Sequence, residues 1–395
     1  MKHYITEINP NGTIAVDDTI LVKEYETTAG SKILEGFVPL FSAEAVERLI
    51  NAGYEISGKT NVGEFGLDLL GEFSNSGAVC DGEYLVGAAA DLIAKGEIKG
   101  ALSVDLNGAL RRAAAISGID FIKPTYGTVS RYGVIPCACS GEQIGVSASN
   151  ADGLKELLSV IAGHDDKDGT SLPAEKYEYS LDENVSGMKI AVIRELYDKA
   201  SDGVRAGIDS FKEKLTAVGA QVEEITFSLV EAAQTAWQIA LAAETCNNVS
   251  RYEGVKFGYR TPNYKNIDEL YVNSRTEGMN FLSKAAILYG SDVLSKGRYN
   301  YCYDKTLKIR RVVHDAVKAV FSEYDAILAP ACGETAYVPY DIKDAFSRVF
   351  AESIFTAVPN LTGIPALVTN GVQLMADVYR ESVLLSIAKS AEGRE

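Results

Sequence analysis

Histidine, tryptophan and long apolar runs are scarce in this sequence. Its 395 residues include three histidines and one tryptophan, and no stretch reaches the roughly 18 consecutive apolar residues of a membrane span. The polar pair Thr6–Glu7 follows the first residues directly, so no secretory leader is predicted. Lysine and arginine total 38 against 54 acidic residues, a formal charge of −16. We expect a cytoplasmic protein that contacts no membrane and binds no nucleic acid directly, because phosphate contacts need clustered basic side chains.

Cysteine is sparse and scattered. Of the six cysteines, only Cys137 and Cys139 lie close together in the sequence. Isolated cysteines in apolar surroundings are typical of reduced, buried thiols. No other group of cysteines or histidines has the spacing of a zinc site. We therefore expect neither a metal nor a cofactor.

Apolar residues recur with strand spacing and helix spacing in alternation along the chain. Hydrophobic residues make up 47% of the sequence, enough to bury a large core. The pattern predicts an α/β protein, which we interpret as a single domain over residues 1–395. Residues 13–23 predict a strand and a hairpin around Asp17 and Asp18, and further strands are predicted over 54–57, 188–194, 221–226 and 324–330. The predicted helices run from Ser42, as N-cap, to Gly53 and over 203–218, 232–247 and 303–321.

One segment matches a nucleotide-binding motif by letters alone. Residues 53–60 satisfy the phosphate-loop pattern, with Lys59 at the lysine position. That motif works only when a strand ends at its first glycine and a helix begins at its lysine. Here a predicted helix precedes the glycine and a predicted strand lies inside the segment. We interpret Lys59 as structural.

Several other segments carry a family resemblance. Residues 103–111 keep the Asp, Gly and Arg of a glycine-rich turn, and the segments 123–127, 129–133 and 360–365 follow in order. Together they resemble the amidase signature family. Residues 251–260 are most similar to the A subunits of glutamyl-tRNA(Gln) amidotransferases. The resemblance implies an α/β amidase-signature fold, with a large mixed central β-sheet covered by helices on both faces.

The resemblance also implies a catalytic triad, and none of its three residues is present. Family members use a nucleophilic serine, a serine that relays the proton and a buried lysine to cleave amides. The nucleophile position falls on Ala109, the relay position on Leu85, 24 residues earlier, and the lysine position on Asp17. No serine, cysteine or threonine lies between Asp81 and Leu102, so a shift in the alignment does not restore the relay serine.

Other family features are altered in parallel. The oxyanion-binding loop is represented by a remnant, Leu106, Asn107 and Gly108. The charged positions that grip the substrate amino acid in the family's amidotransferases fall on Ala285 or Ala286 and on Ser353. The resemblance further predicts that the family's N-terminal helical segment is missing and that the C-terminal region is shortened.

Some residues near the altered site remain candidates for a pocket: Asp105, Arg111, Cys137 and Cys139. With no lysine or arginine to balance Asp17 and Asp105, we expect an anionic ligand to be disfavoured. Unconventional chemistry is left open, with Cys80, Cys137, Cys139 or Ser140 as nucleophile and Asp17 as base.

Three hypotheses follow. In the first, the chain is a catalytically inactive homologue that acts as a scaffold, by association with a B-subunit-like protein or with itself. In the second, it is an active amide hydrolase or part of a glutamine-dependent amidotransferase that uses non-standard residues. In the third, the neutralised pocket binds a small molecule and the chain is a sensor.

Overall fold

The computed structural model of the chain describes residues 3–173, 177–182 and 184–392. The strands are β1 (Tyr4–Glu7), β2 (Ile14–Asp17), β3 (Ile56–Thr60), β4 (Cys80–Asp81), β5 (Tyr84–Leu85), β6 (Gly100–Asp105), β7 (Asp120–Lys123), β8 (Gln143–Ala148), β9 (Lys189–Ile193), β10 (Gln221–Ile225), β11 (Ala326–Pro330), β12 (Ala366–Thr369) and β13 (Val372–Met375).

The α-helices differ widely in length. They are α1 (Glu44–Asn51), α2 (Ala88–Ala94), α3 (Ala109–Ser117), α4 (Ala151–Ile161), α5 (Arg194–Tyr197), α6 (Asp202–Ala217), α7 (Val230–Val249), α8 (Ile267–Gly278), α9 (Phe281–Leu294), α10 (Tyr303–Phe321), α11 (Ala345–Glu352), α12 (Ala357–Thr362) and α13 (Glu381–Ala391). Within the described ranges, no helix is both long enough and apolar enough to cross a bilayer.

Eleven strands form one mixed sheet, in the order β1-β3-β2-β6-β8-β7-β12-β13-β11-β9-β10. Strands β3, β2 and β6 are parallel to one another, as are β11, β9 and β10, and the strands between these two groups pair antiparallel. The remaining two strands, β4 and β5, form a separate hairpin. The predicted large mixed sheet is therefore confirmed.

Side chains of the sheet point alternately to its two faces, as the period of two along a strand requires, and pack into apolar cores on each face. In β2, Ile14 and Val16 join the core under α1, α4, α6 and α13, whereas Ala15 faces α2 and α3. In β9, Ile190 and Val192 join the first core and Ala191 joins a third cluster that includes α7 and α12. Helices thus cover both faces of the sheet, as the family resemblance implies.

Two local predictions are wrong. Residues 13–23 contain a strand only over Ile14–Asp17 and no hairpin, because β2 pairs in parallel with β3 and β6 instead of with the residues that follow it. Ser42 is not the N-cap of α1, because that position is taken by Ala43, which makes no side-chain capping bond. The Ser42 hydroxyl instead accepts a hydrogen bond from the backbone N–H of Lys23, 3.1 Å away. A tertiary contact has replaced the local cap, and the first turn of α1 carries Glu44 and Glu47, whose charges favour a helix N-terminus.

Candidate functional site

The ends of two adjacent parallel strands build the site. Val16 of β2 pairs with Leu102 of β6, so the next residues, Asp17 and Ser103, stand side by side. Both lie on the face of the sheet that α2 and α3 cover, opposite the face to which Val16 and Leu102 point. The lysine position implied by the family resemblance is therefore occupied by a carboxylate beside a serine hydroxyl.

The Asp17 carboxylate is held by hydrogen bonds from its surroundings. One oxygen accepts from the backbone N–H and the hydroxyl of Thr19, at 3.0 and 3.1 Å, and the other accepts from the backbone N–H of Val104 at 3.3 Å. Burial raises the pKa of Asp17 to about 6, although these hydrogen bonds oppose the rise. The Ser103 hydroxyl is buried and has no hydrogen-bond partner among the residues that the structure describes.

Lys59 does not supply an amine to this site. Its ammonium nitrogen lies 3.0 Å from the carboxylate of Asp18, and both side chains are buried. It also donates to the hydroxyl of Thr27. Burial lowers the pKa of Lys59, and Asp18 opposes that shift. Lys59 lies inside β3, where a phosphate-binding loop is ruled out by the strand itself, and its contacts are structural as predicted.

The loop from Leu106 to Gly108 connects β6 to α3 and places Ala109 as the first residue of that helix. Gly108 adopts φ +80°, and a Cβ there would lie 2.3 Å from the side chain of Thr356. Only glycine fits this left-handed, tightly packed position. The Thr356 hydroxyl donates to the carbonyl of Asn107 at 3.1 Å and so fixes the loop from the other side.

Asp105 and Arg111 form a buried ion pair, and neither lines the cavity that contains Asp17 and Ala109. Arg111 Nε and Nη2 donate to the two carboxylate oxygens at 2.9 and 3.0 Å. Burial alone would raise the pKa of Asp105, but the charge and hydrogen bonds of Arg111 outweigh it and lower the pKa. The expectation that Asp105 lacks a balancing cation is therefore wrong, and the pair secures the loop.

Leu85 lies in the apolar core and does not line the cavity that contains Asp17 and Ala109. It belongs to the β4–β5 hairpin, opposite Cys80, and its backbone N–H donates to the carbonyl of Tyr337 at 2.7 Å. No cis peptide bond is found in the described ranges, and the Leu85 peptide is trans.

Asp17, Ser103 and Ala109 line one small cavity of about 50 Å³. A space of that size holds a few water molecules, since each needs roughly 10–15 Å³. Pockets for small-molecule ligands are typically about 300–1,000 Å³. In this conformation the space around Asp17 and Ala109, two of the catalytic positions that the family resemblance implies, is thus too small for an amino acid.

The cysteine and serine candidates are divided between two environments. Cys137 lines the small cavity, where its sulfur lies 3.2 Å from the hydroxyl of Thr245, and burial raises the pKa of its thiol strongly. Cys139 and Ser140 lie outside the cavity, and the Ser140 hydroxyl donates to Glu244. Cys80 sits in the hairpin.

A second cavity, of about 470 Å³, lies between α7, α9 and α11. Of the predicted substrate positions, Ala286 lines it, while Ala285 and Ser353 do not. The loop remnant separates the two cavities, because Leu106 lines the small one and Asn107 the large one. Among the described residues, no group of three or more metal-binding side chains is present.

Several known proteins are similar to this chain over most of its length. The Amidase family profile matches residues 13–385. The chain belongs to the amidase signature family. It is 36% identical to the glutamyl-tRNA(Gln) amidotransferase A subunit of Lachnospira eligens over 392 residues, which cover 94% of this chain and 81% of that protein. The corresponding protein of Lachnoclostridium phytofermentans is 37% identical over 375 residues, or 90% of this chain and 74% of the relative.

The family resemblance extends to a crystal structure. The glutamyl-tRNA(Gln) amidotransferase A subunit from Thermotoga maritima superimposes with a TM-score of 0.83 and 28% identity, covering 100% of this chain and 88% of the other. Both the suspected family and its fold are therefore confirmed.

Sequence reasoning within the amidase family missed two features of the site. Ser103 was not singled out, because only the pairing of β2 with β6 brings it beside Asp17. Trp237 packs in the core, and its indole N–H donates to the side-chain oxygen of Asn107 at 3.0 Å. No spacing in the sequence could signal a contact between residues this far apart.

Proposed function

We propose that this amidase-family chain is catalytically inactive and acts by associating with a B-subunit-like protein, in the cytoplasm and without direct contact with nucleic acid. Its relatives are named as subunits of an amidotransferase. A role in an assembly is therefore compatible with the fold that this chain shares with them. The observation that carries the proposal is the small cavity shared by Asp17 and Ala109, which offers neither a nucleophile at the expected position nor an amine.

The side chains that remain near Asp17 are poor replacements for the family's chemistry. A carboxylate with a pKa of about 6 can accept a proton. The thiol of Cys137, however, stays protonated at neutral pH because burial raises its pKa. The Ser103 hydroxyl lies within the sheet, at a cavity of only about 50 Å³. An amide carbonyl would have to displace surrounding structure to reach either group.

Support for association comes from the surface. Among the described residues, 23 large apolar side chains are exposed, and 12 of them lie between residues 257 and 312, which contain α8, α9 and the start of α10. Leu288 is 73% exposed and so is Tyr301. Contiguous exposed apolar surface is typical of a site that another protein covers, and we propose that these side chains contribute to one.

A glutaminase assay tests the catalytic half of the proposal. Purified chain, incubated with glutamine and with a simple amide such as acetamide, should release no ammonia above the buffer control. Turnover that is lost in Asp17→Asn, Ser103→Ala or Cys137→Ala would establish the alternative, an active hydrolase with non-standard residues. The three variants would also identify which residue replaces the family's machinery.

Co-expression with a B-subunit-like protein from the same genome tests the other half. The two chains should co-purify and elute together in size-exclusion chromatography with light scattering. Leu288→Asp should weaken the complex, because it places a charge on the apolar surface. Leu40→Asp is the matched control, since Leu40 is 88% exposed but lies outside residues 257–312. A monodisperse monomer under all conditions would contradict the proposal, and a homo-oligomer would replace the partner with a second copy.

A further inference from the structure

The larger cavity has the dimensions of a small-molecule site. Its volume is about 470 Å³, within the range of roughly 300–1,000 Å³ that ligand pockets occupy. Three helices form its walls: α7 contributes Gln238 and Leu241, α9 contributes Ala286, and α11 contributes Phe346 and Phe350. The walls are regular secondary structure, so the space is built into the packing of the helices.

No lysine, arginine, aspartate, glutamate or histidine lines this cavity among the residues that the structure describes. A charged ligand that entered the cavity would lose part of its hydration and would find no opposite charge. Burying an unpaired charge costs several times more free energy than burying a neutral polar group. Amino acids, which carry two charges at neutral pH, are therefore poor occupants. The cavity favours neutral molecules with a mainly apolar surface.

Of the hydrogen-bonding side chains that line the cavity, on Asn107, Thr235, Gln238 and Tyr289, only that of Asn107 is buried. Asn107 is 2% exposed, and its side-chain oxygen accepts from the indole N–H of Trp237 and from the amide of Gln238, both at 3.0 Å. An indole N–H can only donate, so the atom facing Trp237 must be the oxygen. The Asn107 amide nitrogen donates to no acceptor within the described residues, and Asn107 lines the cavity. It is available to a ligand acceptor.

Aromatic side chains stand at the opening. Phe346 is 48% exposed and Phe350 37% exposed, on the same helix, and Tyr289 of α9 is 36% exposed. Exposed rings cost free energy in water and gain it when they pack against another apolar surface. These rings lie beside the uncharged cavity, so an apolar ligand bound there would provide the apolar surface against which they pack.

We infer that the cavity between α7, α9 and α11 binds a neutral, mainly apolar small molecule with one hydrogen-bond acceptor, which the Asn107 amide recognises. The inference goes beyond the proposed association with a partner, and it is tested on the chain alone because Tyr289 belongs both to the exposed residues of 257–312 and to the cavity. It also differs from the charged amino-acid substrate implied by the family resemblance, since Ala286 lines the space in place of a charged side chain.

Isothermal titration of the full chain with three probes tests the chemical class. Benzylacetone is neutral and apolar with one carbonyl acceptor, hydrocinnamate is an anion of similar size and shape, and L-glutamine is a zwitterion. Benzylacetone should bind with a Kd at or below roughly 1 mM, the level expected for a ligand of that size. Hydrocinnamate and glutamine should bind at least tenfold more weakly. Absence of saturable benzylacetone binding, or equal binding of the anion, would overturn the inference.

A matched pair of variants tests the location. Ala286→Arg introduces a long charged side chain into the cavity and should weaken benzylacetone binding at least tenfold. Ala285→Arg changes the neighbouring residue of α9, which is equally half-buried but does not line the cavity, and should leave the Kd within about twofold. Equal affinity in Ala286→Arg would place the binding elsewhere and refute the site. If Ala286→Arg does not fold, the comparison of probes on the unsubstituted chain still decides the inference.

Discussion

Replacing Asp17 by asparagine should make the protein more stable at alkaline pH. Burial raises the pKa of Asp17 from 3.8 to about 6, so its charged form is held less favourably in the folded chain than in the unfolded chain. Because a tenfold change in a proton-dissociation constant is worth about 1.36 kcal/mol, this rise corresponds to a penalty of roughly 3 kcal/mol at pH 8. The neutral asparagine side chain removes that penalty.

The sign of the pH dependence follows from the direction of the shift. Because the folded pKa lies above the unfolded pKa, the folded chain binds more protons between about pH 4 and 6. The contribution of Asp17 to stability is therefore most favourable below pH 4 and is lost as the pH rises through 6. Between pH 5 and pH 8 the penalty grows by roughly 1 kcal/mol.

The substitution also changes the hydrogen bonds. Asparagine can keep the bonds from Thr19 through its carbonyl oxygen but cannot accept from the N–H of Val104 with its amide nitrogen. One lost bond costs about 0.5–1.5 kcal/mol. We expect the free energy of unfolding of Asp17→Asn to exceed that of the unsubstituted chain by about 1.5–2.5 kcal/mol at pH 8, and by roughly 1 kcal/mol less than this at pH 5.

Urea denaturation followed by circular dichroism at pH 5 and pH 8 measures this difference directly. The control is Asp198→Asn, an exposed aspartate whose carboxylate makes no hydrogen bond within the described residues. It should change stability equally at the two pH values. If Asp17→Asn destabilises the protein by the same amount at both, the carboxylate is favourably held and the reasoning is refuted.

Three further predictions concern the loop and the thiol. Asp105→Asn leaves the buried Arg111 without its carboxylate and should lower stability by about 3–5 kcal/mol in urea denaturation; a loss below about 1 kcal/mol would contradict the structural role of the pair. Gly108→Ala should cost about 2–4 kcal/mol, from the left-handed backbone and the contact with Thr356, and a neutral result would mean that the loop adapts. Cys137 should be labelled by iodoacetamide only in denaturant, because burial keeps its thiol protonated; mass spectrometry of labelled peptides checks this, and labelling of the native protein would contradict it.

Periodic features of the chain were predictable because they depend on local spacing. The helix expected over 303–321 is observed over those residues, since its apolar positions recur with the helical period regardless of what covers them. The strand predicted over 188–194 and the helix predicted over 203–218 also agree with β9 and α6 to within a residue or two. The family and its sheet followed from short motifs in the right order.

Properties that depend on distant contacts were not predictable. Ser42 was expected to cap a helix, but a backbone N–H from a neighbouring segment competes for the same hydroxyl. Asp105 was expected to lack a cation, because its pairing with Arg111 depends on the turn that Gly108 forms. The division of the site into two cavities arises where Leu106 and Asn107 point to opposite sides of one loop. No sequence period encodes that division.

Ammonia release from glutamine tests the central claim most directly. The chain should be assayed alone and together with the B-subunit-like protein, so that activation by a partner is included. We predict a rate that equals the enzyme-free control in both cases. A rate well above that control, abolished by Asp17→Asn or by Ser103→Ala, would show that the altered site cleaves amides and would contradict the proposal.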